Sequence, residues 1–535
     1  MIETASRHWP LLLSLGLLLL LVSSQVALSF KRNDGHFVYA LDDPYIHMAI
    51  ARNFAHYGVW GVTRYEFSSS TSSLLWTLLL AAIDSVTSSI YVPLVLNCIA
   101  AVAVVWIAYL LLQDIASGQV PKFILLLVLA FLLPMSPLIL TGMEHTFHIG
   151  LCLLMVYIAA TVIADDQFSF SQQSTKLLLL LTPLATMVRY ESLFIVAVIA
   201  SLLALRRRFL FASLIVLAAM VPLVVYGLIS IKNGSFFLPN SLLLKGSLPQ
   251  AGLLPFLKHA ASRWLSSLHL LSLWLLGASL LFAQRKEGSF WKRYRVMLMI
   301  FMFVTVLHVL FAGVGWFYRY EAYLMAVGIL VTGTLLLSIF SRLKNGARDL
   351  LYRPMAILSC VFAVTTAVLL LSRGYTAIAN TVLATRNIYH QQYQMATFLK
   401  RYYQGAAVAA NDIGAINFAA DIRCLDLYGL GSAEITGAKL YRQYNTRRIA
   451  ELAQSHKVRI AVVYKNWFEA EGGVPQEWTN VGEWITPNCI VCGWDIVTFY
   501  AVESDEIEAL TRNLRDFSSS LPAEIVQTGR YIDTR

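Results

Sequence analysis

The sequence predicts a polytopic α-helical membrane protein of about eleven transmembrane helices followed by a soluble α/β domain. Three observations lead there. Of 535 residues, 58% are hydrophobic and only 13% charged, where soluble domains carry about 25% charged residues, and the mean hydropathy is +0.63. Apolar runs long enough to cross a bilayer recur from the N-terminus to about residue 372. From about Gly374 those runs stop, and β-branched strands and amphipathic helices take their place.

The run over 9–30, with "LLLSLGLLLLLVSSQVALSF", is longer than the apolar core of a signal peptide and reads as an uncleaved first span, although "SQVALS" offers small residues for cleavage. Full-length runs follow at 92–112, 145–163, 209–230, 264–283, 296–314, 319–340 and 354–372. Shorter ones lie at 74–83, 123–140, 177–188 and 191–205. The net charge of +10 does not point to nucleic acid, because the basic residues cluster in short loops between apolar runs. "RRR" at 206–208, "QRKEGSFWKRYR" at 284–295 and "RLKNGARDLLYR" at 342–353 set those loops on the cytoplasmic side. With that orientation the N-terminus is inside and the loop 31–90 outside. "SSLLWTLLLAAI" is then an interfacial helix, and 177–188 with 191–205 forms a hairpin whose tip faces out. The chain divides into a membrane module, 1–373, and an outer α/β domain, 374–535, in the inner membrane of a bacterium.

In the tail, "TRNIYHQQYQMATFLKRYY" reads as an amphipathic helix and "AAVAAND" as a short strand followed by a glycine turn. "RIAVVYKNW" and "WDIVTFYAV" read as strands, and "ESDEIEALTRNLRDF" as a helix with an acidic start. Cys98, Cys152 and Cys360 sit in apolar runs as small core residues. "NCIVCG" leaves open a bridge between Cys489 and Cys492, a bridge from either to Cys424, or plain thiols. No zinc-ligand spacing accompanies them.

This topology gathers five separated segments at one outer membrane boundary. They are "LDDPYIHMAIARN" with Asp42 and Asp43, "TGMEHTF" (141–147), "RYES" (189–192), "LPNSLLLK" (238–245) and "GWFYRYE" (315–321). Arg189 with Glu191, or Arg319 with Glu321, taken alone reads as an ion pair at a helix end. Five such segments on one face read together as a functional site. No P-loop, GxGxxG or GxSxG stands between a strand and a helix, so nucleotide-dependent and serine-hydrolase chemistry lack support. An activated group on the outer face has to arrive on a lipid. A polyprenyl-phosphate sugar fits, since Arg and Lys can hold a phosphate leaving group while a carboxylate takes a proton from an attacking hydroxyl.

In their order and spacing these motifs, with "SSSTSSLLWTLLLAA" and "NDIGAINF", resemble the GT-C superfamily of polyprenyl-phosphate-dependent glycosyltransferases. The likeness is to the branch of the mycobacterial terminal arabinofuranosyltransferases and related bacterial proteins. The chain departs from that branch at Leu74, where Pro is usual before LW, and at Leu242 and Leu243, where aromatics are common. The resemblance implies an inverting single displacement with Asp42 as general base and Asp43 supporting it, by binding a metal or orienting the acceptor. Glu144, Arg189 and Lys245 match further family positions. The reading of the shared face adds Arg319 to Lys245 and Arg189 at the donor phosphate, and sets Glu144, His145, Glu191, Asn240 and Tyr45 around the sugar or acceptor. A divalent cation (Mg, Ca or Mn) is expected near Asp43 and Glu144. The donor sugar the resemblance implies is a pentofuranose such as arabinofuranose, and the acceptor a glycan, lipid or protein. The competing class is a transporter or flippase of lipid-linked sugars, since paired intramembrane acids also mark proton relays. Such proteins place their acids at the midplane of repeats, and no repeat is evident here.

Overall fold

The structure, a computed structural model, describes residues 2–115, 118–246, 252–283, 288–343 and 354–532. All twelve apolar runs fall mainly in helices. Among the described residues eight helices are long and apolar enough to cross a membrane: His8–Arg32, Val92–Leu111, Gln119–Leu140, His145–Ala164, Phe209–Lys232, Ser289–Phe311, Ala322–Ile339 and Met355–Tyr402. A ninth span arises if Leu253–Ser266 and Leu268–Phe282, bent by 93°, count as one. The expected hairpin is made of Gln173–Val188 and Ser192–Leu205, 16 and 14 residues long, both short of the roughly 20 that a crossing needs. The difference from eleven is therefore one of helix length. Of the basic segments used for orientation, residues 284–287 and 344–353 lie outside the described residues.

The chain forms two compact units. The first comprises Met1–Ser24, Leu94–Val224 and Gly246–Asn380; the second comprises Gln25–Pro93, Val225–Lys245 and Thr381–Arg535. The loop that begins at residue 31 and the "LPNSLLLK" segment thus cluster with the C-terminal domain, and a boundary at 374 does not separate compact bodies.

In the first unit, His145–Ala164, Ser289–Phe311 and Ala322–Leu343 supply the buried core, with Ile149, Cys152, Leu153, Met297, Phe301, Met325 and Leu330 almost wholly inaccessible. Gly328 permits the close approach. A β-carbon there would stand 2.6 Å from Leu273 and 2.7 Å from Phe301.

The second unit is built on a six-stranded mixed sheet with β1 (Ala407–Ala410), β2 (Arg423–Asp426), β3 (Ile460–Val463), β4 (Thr479–Ile485), β5 (Ile496–Ala501) and β6 (Val526–Gly529). The order is β2-β1-β3-β5-β4-β6. β1 is parallel to both β2 and β3, and the remaining pairs are antiparallel. The alternation along β5 fills both faces. Tyr500 joins Ala409, Leu425, Ile449, Leu452 and Val463 on one side. Phe499 packs against Phe398 and Trp484 on the other, and Phe517 against those same two rings, at ring distances of 4.4 to 5.7 Å. The expected amphipathic helix near 386–403 is not separate. Pro354–Ile388 runs through a π-helical turn, Tyr389–Tyr393, into Gln394–Tyr402. Cys489 and Cys492 are disulfide-bonded, with Cα atoms 5.6 Å apart, while Cys424 is a free, buried thiol.

Candidate functional site

The acidic pair opens the helix Asp43–Tyr57, which Pro44 starts and a left-handed Gly58 ends. This helix is fastened to the short apolar helix Leu74–Asp84 by His47, whose Nδ1 lies 2.8 Å from Thr77 Oγ1 and 3.2 Å from Thr71 Oγ1. Trp76 and Leu80 of the short helix are buried, so its apolar face is spent on packing. Tyr45 is buried too, and its hydroxyl accepts the Tyr39 N–H at 3.0 Å.

Beyond β1 the chain reads Asn411–Asp412–Ile413–Gly414. Because β1 has β2 on one side and β3 on the other, the chain leaves its carboxyl end at the point where strand order reverses, the place where open α/β sheets receive ligands. Here the turn meets the acidic pair. The Gly414 and Ala415 N–H groups donate to Asp42 Oδ2 and Oδ1 at 2.7 and 2.8 Å. At the other end of the helix Ala415–Ala419, Arg52 donates to the carbonyls of Asn417, at 3.1 Å, and Phe418. Asp42 and Arg52 thus clasp both ends of one short helix. Glycine at 414 is required by contact, because a β-carbon would overlap the Asp42 carbonyl oxygen and carboxylate.

Asp43 Oδ1 lies 3.5 Å from Lys245 Nζ, and both side chains are partly exposed. Asp412 is a third carboxylate, which the sequence reading did not single out. It accepts from Gln392 Nε2 at 2.8 Å and from the Tyr464 hydroxyl at 2.6 Å. The π-helical turn puts Gln391 and Gln392 there, and Gln391 Oε1 stands 2.8 Å from the same hydroxyl. Burial, then the negative charge of Asp412, push the Asp42 carboxyl well above the usual carboxylate range, against the two backbone N–H bonds that favour its ionised form. Asp412 is raised by burial and Asp43, and lowered by Gln392, Tyr464 and Lys245. Three carboxylates and one ammonium therefore share one electrostatic site. Asn240 is wholly buried and has a scaffolding place, its N–H on the Ser69 carbonyl at 2.9 Å and its amide on that of Leu430 at 3.1 Å.

The other expected residues form a cluster within the first unit. Arg189 reaches Glu144 Oε1 through Nη1 at 2.8 Å and grips Glu191 with Nε and Nη2. His145 is buried beside it, with Nδ1 3.7 Å from Glu144 Oε1. The guanidinium carbons of Arg189 and Arg319 stand 5.9 and 5.1 Å from the centre of the Tyr320 ring. Both glutamates accept from Arg189, which meets the demand of a buried carboxylate for a charged donor. Among the described residues no group of three or more His, Cys, Asp or Glu is arranged to hold a metal. Asp43 and Glu144, the expected cation ligands, lie against Lys245 and Arg189 respectively.

Residues 386–500 match a family profile described as a domain of unknown function, DUF8728. No curated protein matches the chain. Among solved structures, ArnT from Cupriavidus metallidurans bound to undecaprenyl phosphate is 12% identical, covers 91% of this chain and 98% of its own, and gives a TM-score of 0.48. The same protein in the apo state is 11% identical over 92% and 98%, with a TM-score of 0.49. The oligosaccharyltransferase of Archaeoglobus fulgidus in complex with Zn and sulfate is 13% identical over 96% and 76%, with a TM-score of 0.44. Similarity at this level assigns no role to any residue of this chain.

Proposed function

We propose that the chain is an integral membrane glycosyltransferase that moves a sugar from a polyprenyl-phosphate donor to a hydroxyl acceptor on the periplasmic face. The observation that carries this reading is the meeting of Asp42, Asp43 and Asp412 with Lys245 at the carboxyl end of β1. A raised carboxyl whose two oxygens are already oriented by backbone N–H groups is suited to take a proton from a hydroxyl. Asp42 accepts the acceptor's proton as its oxygen bonds to the anomeric carbon. The bond from that carbon to the phosphate oxygen breaks, and polyprenyl phosphate leaves with the electron pair, facing Lys245. Attack opposite the leaving group inverts the anomeric centre. General-base help of this kind is worth about 10²–10⁴-fold. Arg189 and Arg319 belong to the first unit, where we assign them to the donor phosphate or its sugar together with Glu144, His145 and Glu191. The donor sugar we take to be a pentofuranose such as arabinofuranose, on the motif resemblance alone, and the acceptor a glycan, lipid or protein.

We assign the expected divalent cation to the Asp43 carboxylate. Chelation tests it: loss of transfer restored by Mg, Ca or Mn supports the cation, and full transfer in EDTA removes it. The decisive experiment is transfer from a radiolabelled polyprenyl-phosphate sugar by purified protein in detergent, where no transport can occur. Asp42→Asn should lower turnover by at least 10²-fold with donor binding nearly intact, and Asp43→Asn should cost less. Wild-type turnover by Asp42→Asn would remove the base, and absence of any transfer by the parent chain would favour a transporter.

A further inference from the structure

The turn between Ser289–Phe311 and Ala322–Leu343 is held against backbone preference. Gly315, Trp316, Phe317 and Tyr318 have successive φ angles of 84°, 26°, 53° and 65°. Bulky residues rarely adopt such angles, and they persist only where neighbours over-determine them. Glu321, wholly buried, is the anchor. It accepts the Gly315 N–H on Oε2 at 2.8 Å and Arg373 Nη2 on Oε1 at 2.6 Å. Arg373 Nη2 also donates to the Tyr318 carbonyl at 3.1 Å, and its guanidinium lies 5.0 Å from the centre of the Tyr318 ring. His269 Nε2 stands 3.4 Å from Glu321 Oε1.

The strained turn lines a cavity of about 390 Å³, whose walls hold the polar His269, Glu321 and Arg373 and the apolar Leu268, Trp316 and Leu369. The Arg373 side chain is only 7% exposed, and its Nη1 has no hydrogen-bond partner among the described residues. A buried donor left unpaired costs about 1–3 kcal/mol, more when it is charged, so an acceptor that reaches Nη1 recovers that cost. The cavity lies at the first turns of Leu268–Ala283 and of Ala322–Leu343, the second of which is long and apolar enough to cross a membrane. Next to it, Leu253–Ser266 keeps no residue buried, exposes Leu253, Leu254, Leu257 and Leu265, and turns by 93° into the following helix. An amphipathic helix of this kind lies in the interface, with its apolar side in the acyl region.

We propose that this cavity binds an anionic lipid headgroup, with the phosphate on Arg373 and the hydrocarbon along Trp316 and Leu369. With Nη2 held by Glu321 and the Tyr318 carbonyl, Nη1 of the guanidinium is the donor left for a phosphate oxygen, and the apolar residues of the same cavity match a chain attached to it. The ligand class is a phosphate ester on a hydrocarbon, and a membrane phospholipid and a polyprenyl phosphate both supply it. The site uses none of the residues assigned to the base, so a transfer-dead Asp42→Asn protein should keep it.

The test uses the full chain in detergent, with lipid binding read by native mass spectrometry and thermal shift. The probes are phosphatidylglycerol, undecaprenyl phosphate, diacylglycerol and inorganic phosphate. Ser372 lines the cavity and is exposed, so Ser372→Asp sets a carboxylate beside the bound phosphate without disturbing the Glu321–Arg373 pair. Both phosphate lipids should bind the parent chain at least tenfold more tightly than diacylglycerol. Ser372→Asp should lose at least tenfold in that affinity, and Ser372→Ala should not. Binding by either phosphate lipid supports the site, and the tighter of the two names its source. Equal binding of phosphatidylglycerol and diacylglycerol, unchanged binding by Ser372→Asp, or inorganic phosphate binding as tightly as the lipids would each overturn it.

Discussion

Replacing Gly414 by Ala is a one-carbon test of how Asp42 is held. The added β-carbon would overlap both the backbone carbonyl oxygen and the carboxylate of Asp42, and a carbonyl in the backbone cannot rotate away as a flexible side chain could. The turn has to move off the helix Asp43–Tyr57, which breaks the bonds from the Gly414 and Ala415 N–H groups. Hydrogen bonds to a charged group are worth about 1.5–3 kcal/mol each, so losing both costs at least about 3 kcal/mol before any residual overlap is counted. At about 1.4 kcal/mol per tenfold, the aligned arrangement becomes about 100-fold less populated. Transfer from a labelled polyprenyl-phosphate sugar should fall by a similar factor, and thermal unfolding of the purified protein should move down. Gly437→Ala is the control. It lies in the helix Ala433–Leu440, its β-carbon would meet Phe236 at an ordinary 3.5 Å, and helix propensity favours the change by up to about 1 kcal/mol. Wild-type turnover and unfolding in Gly414→Ala would refute both the contact and the orientation of Asp42 drawn from it.

Because burial and Asp412 hold the Asp42 carboxyl above its ordinary value, its proton-accepting form is filled only as pH rises through that raised value. The acid limb of transfer should lie above the ordinary carboxylate range, and Asp412→Asn, which removes one raising charge, should move it to lower pH; an unmoved limb in a folded variant would break the coupling. For stability the sign is reversed. A carboxyl with a raised folded value favours the folded state most at low pH and loses that contribution as pH climbs from the ordinary range through the raised one, so urea midpoints should fall across that window in the parent and fall less in Asp412→Asn. The topology is checked by fusing a reporter that fluoresces only in the cytoplasm to the C-terminus, where a bright signal would overturn the outward orientation of the α/β domain.

The twelve apolar runs were legible because a helix in lipid announces itself by length and apolar content alone. Which of them are long enough to cross was harder to read: 177–188 and 191–205, parted by the polar "RYES" tip, read as a hairpin of two spans and form helices of only 16 and 14 residues. In the tail, β1, β3 and β5 were visible as buried β-branched or aromatic runs. β2, "RCLD", and β6, "VQTG", are short edge segments whose pairing is decided by neighbours distant in the chain. Asp412 shows the same limit at the site. Its residue type and the following glycine were in plain view in "NDIGAINF", but only the β2-β1-β3 order puts the end of β1 where Asp42 can reach it. The mark that could have raised it is a strand ending in an acid two residues before a glycine, at the first βα turn of a parallel unit.

The adjacent acids do not do the same work, and the reason lies in their partners. A carboxylate has about four lone-pair positions, and the Gly414 and Ala415 N–H groups occupy one on each oxygen of Asp42, leaving one on each. Those bonds fix the orientation of the group, and on their own they would lower its proton affinity. Burial and Asp412 outweigh them, so Asp42 is both fixed and basic, the combination a general base needs. Asp43 lies 3.5 Å from Lys245, a cation that can serve either an aspartate or an arriving phosphate. When a phosphate draws Lys245 away, the charge that had balanced Asp43 is withdrawn from the carboxylate cluster, and Asp412, which Lys245 lowers and Asp43 raises, becomes harder to ionise. Donor binding and the proton affinity of the site are then linked through one ammonium group. Lys245→Met should uncouple them, abolishing any shift of the acid limb between free and donor-saturated enzyme; a shift that survives the substitution would show that some other group carries the link.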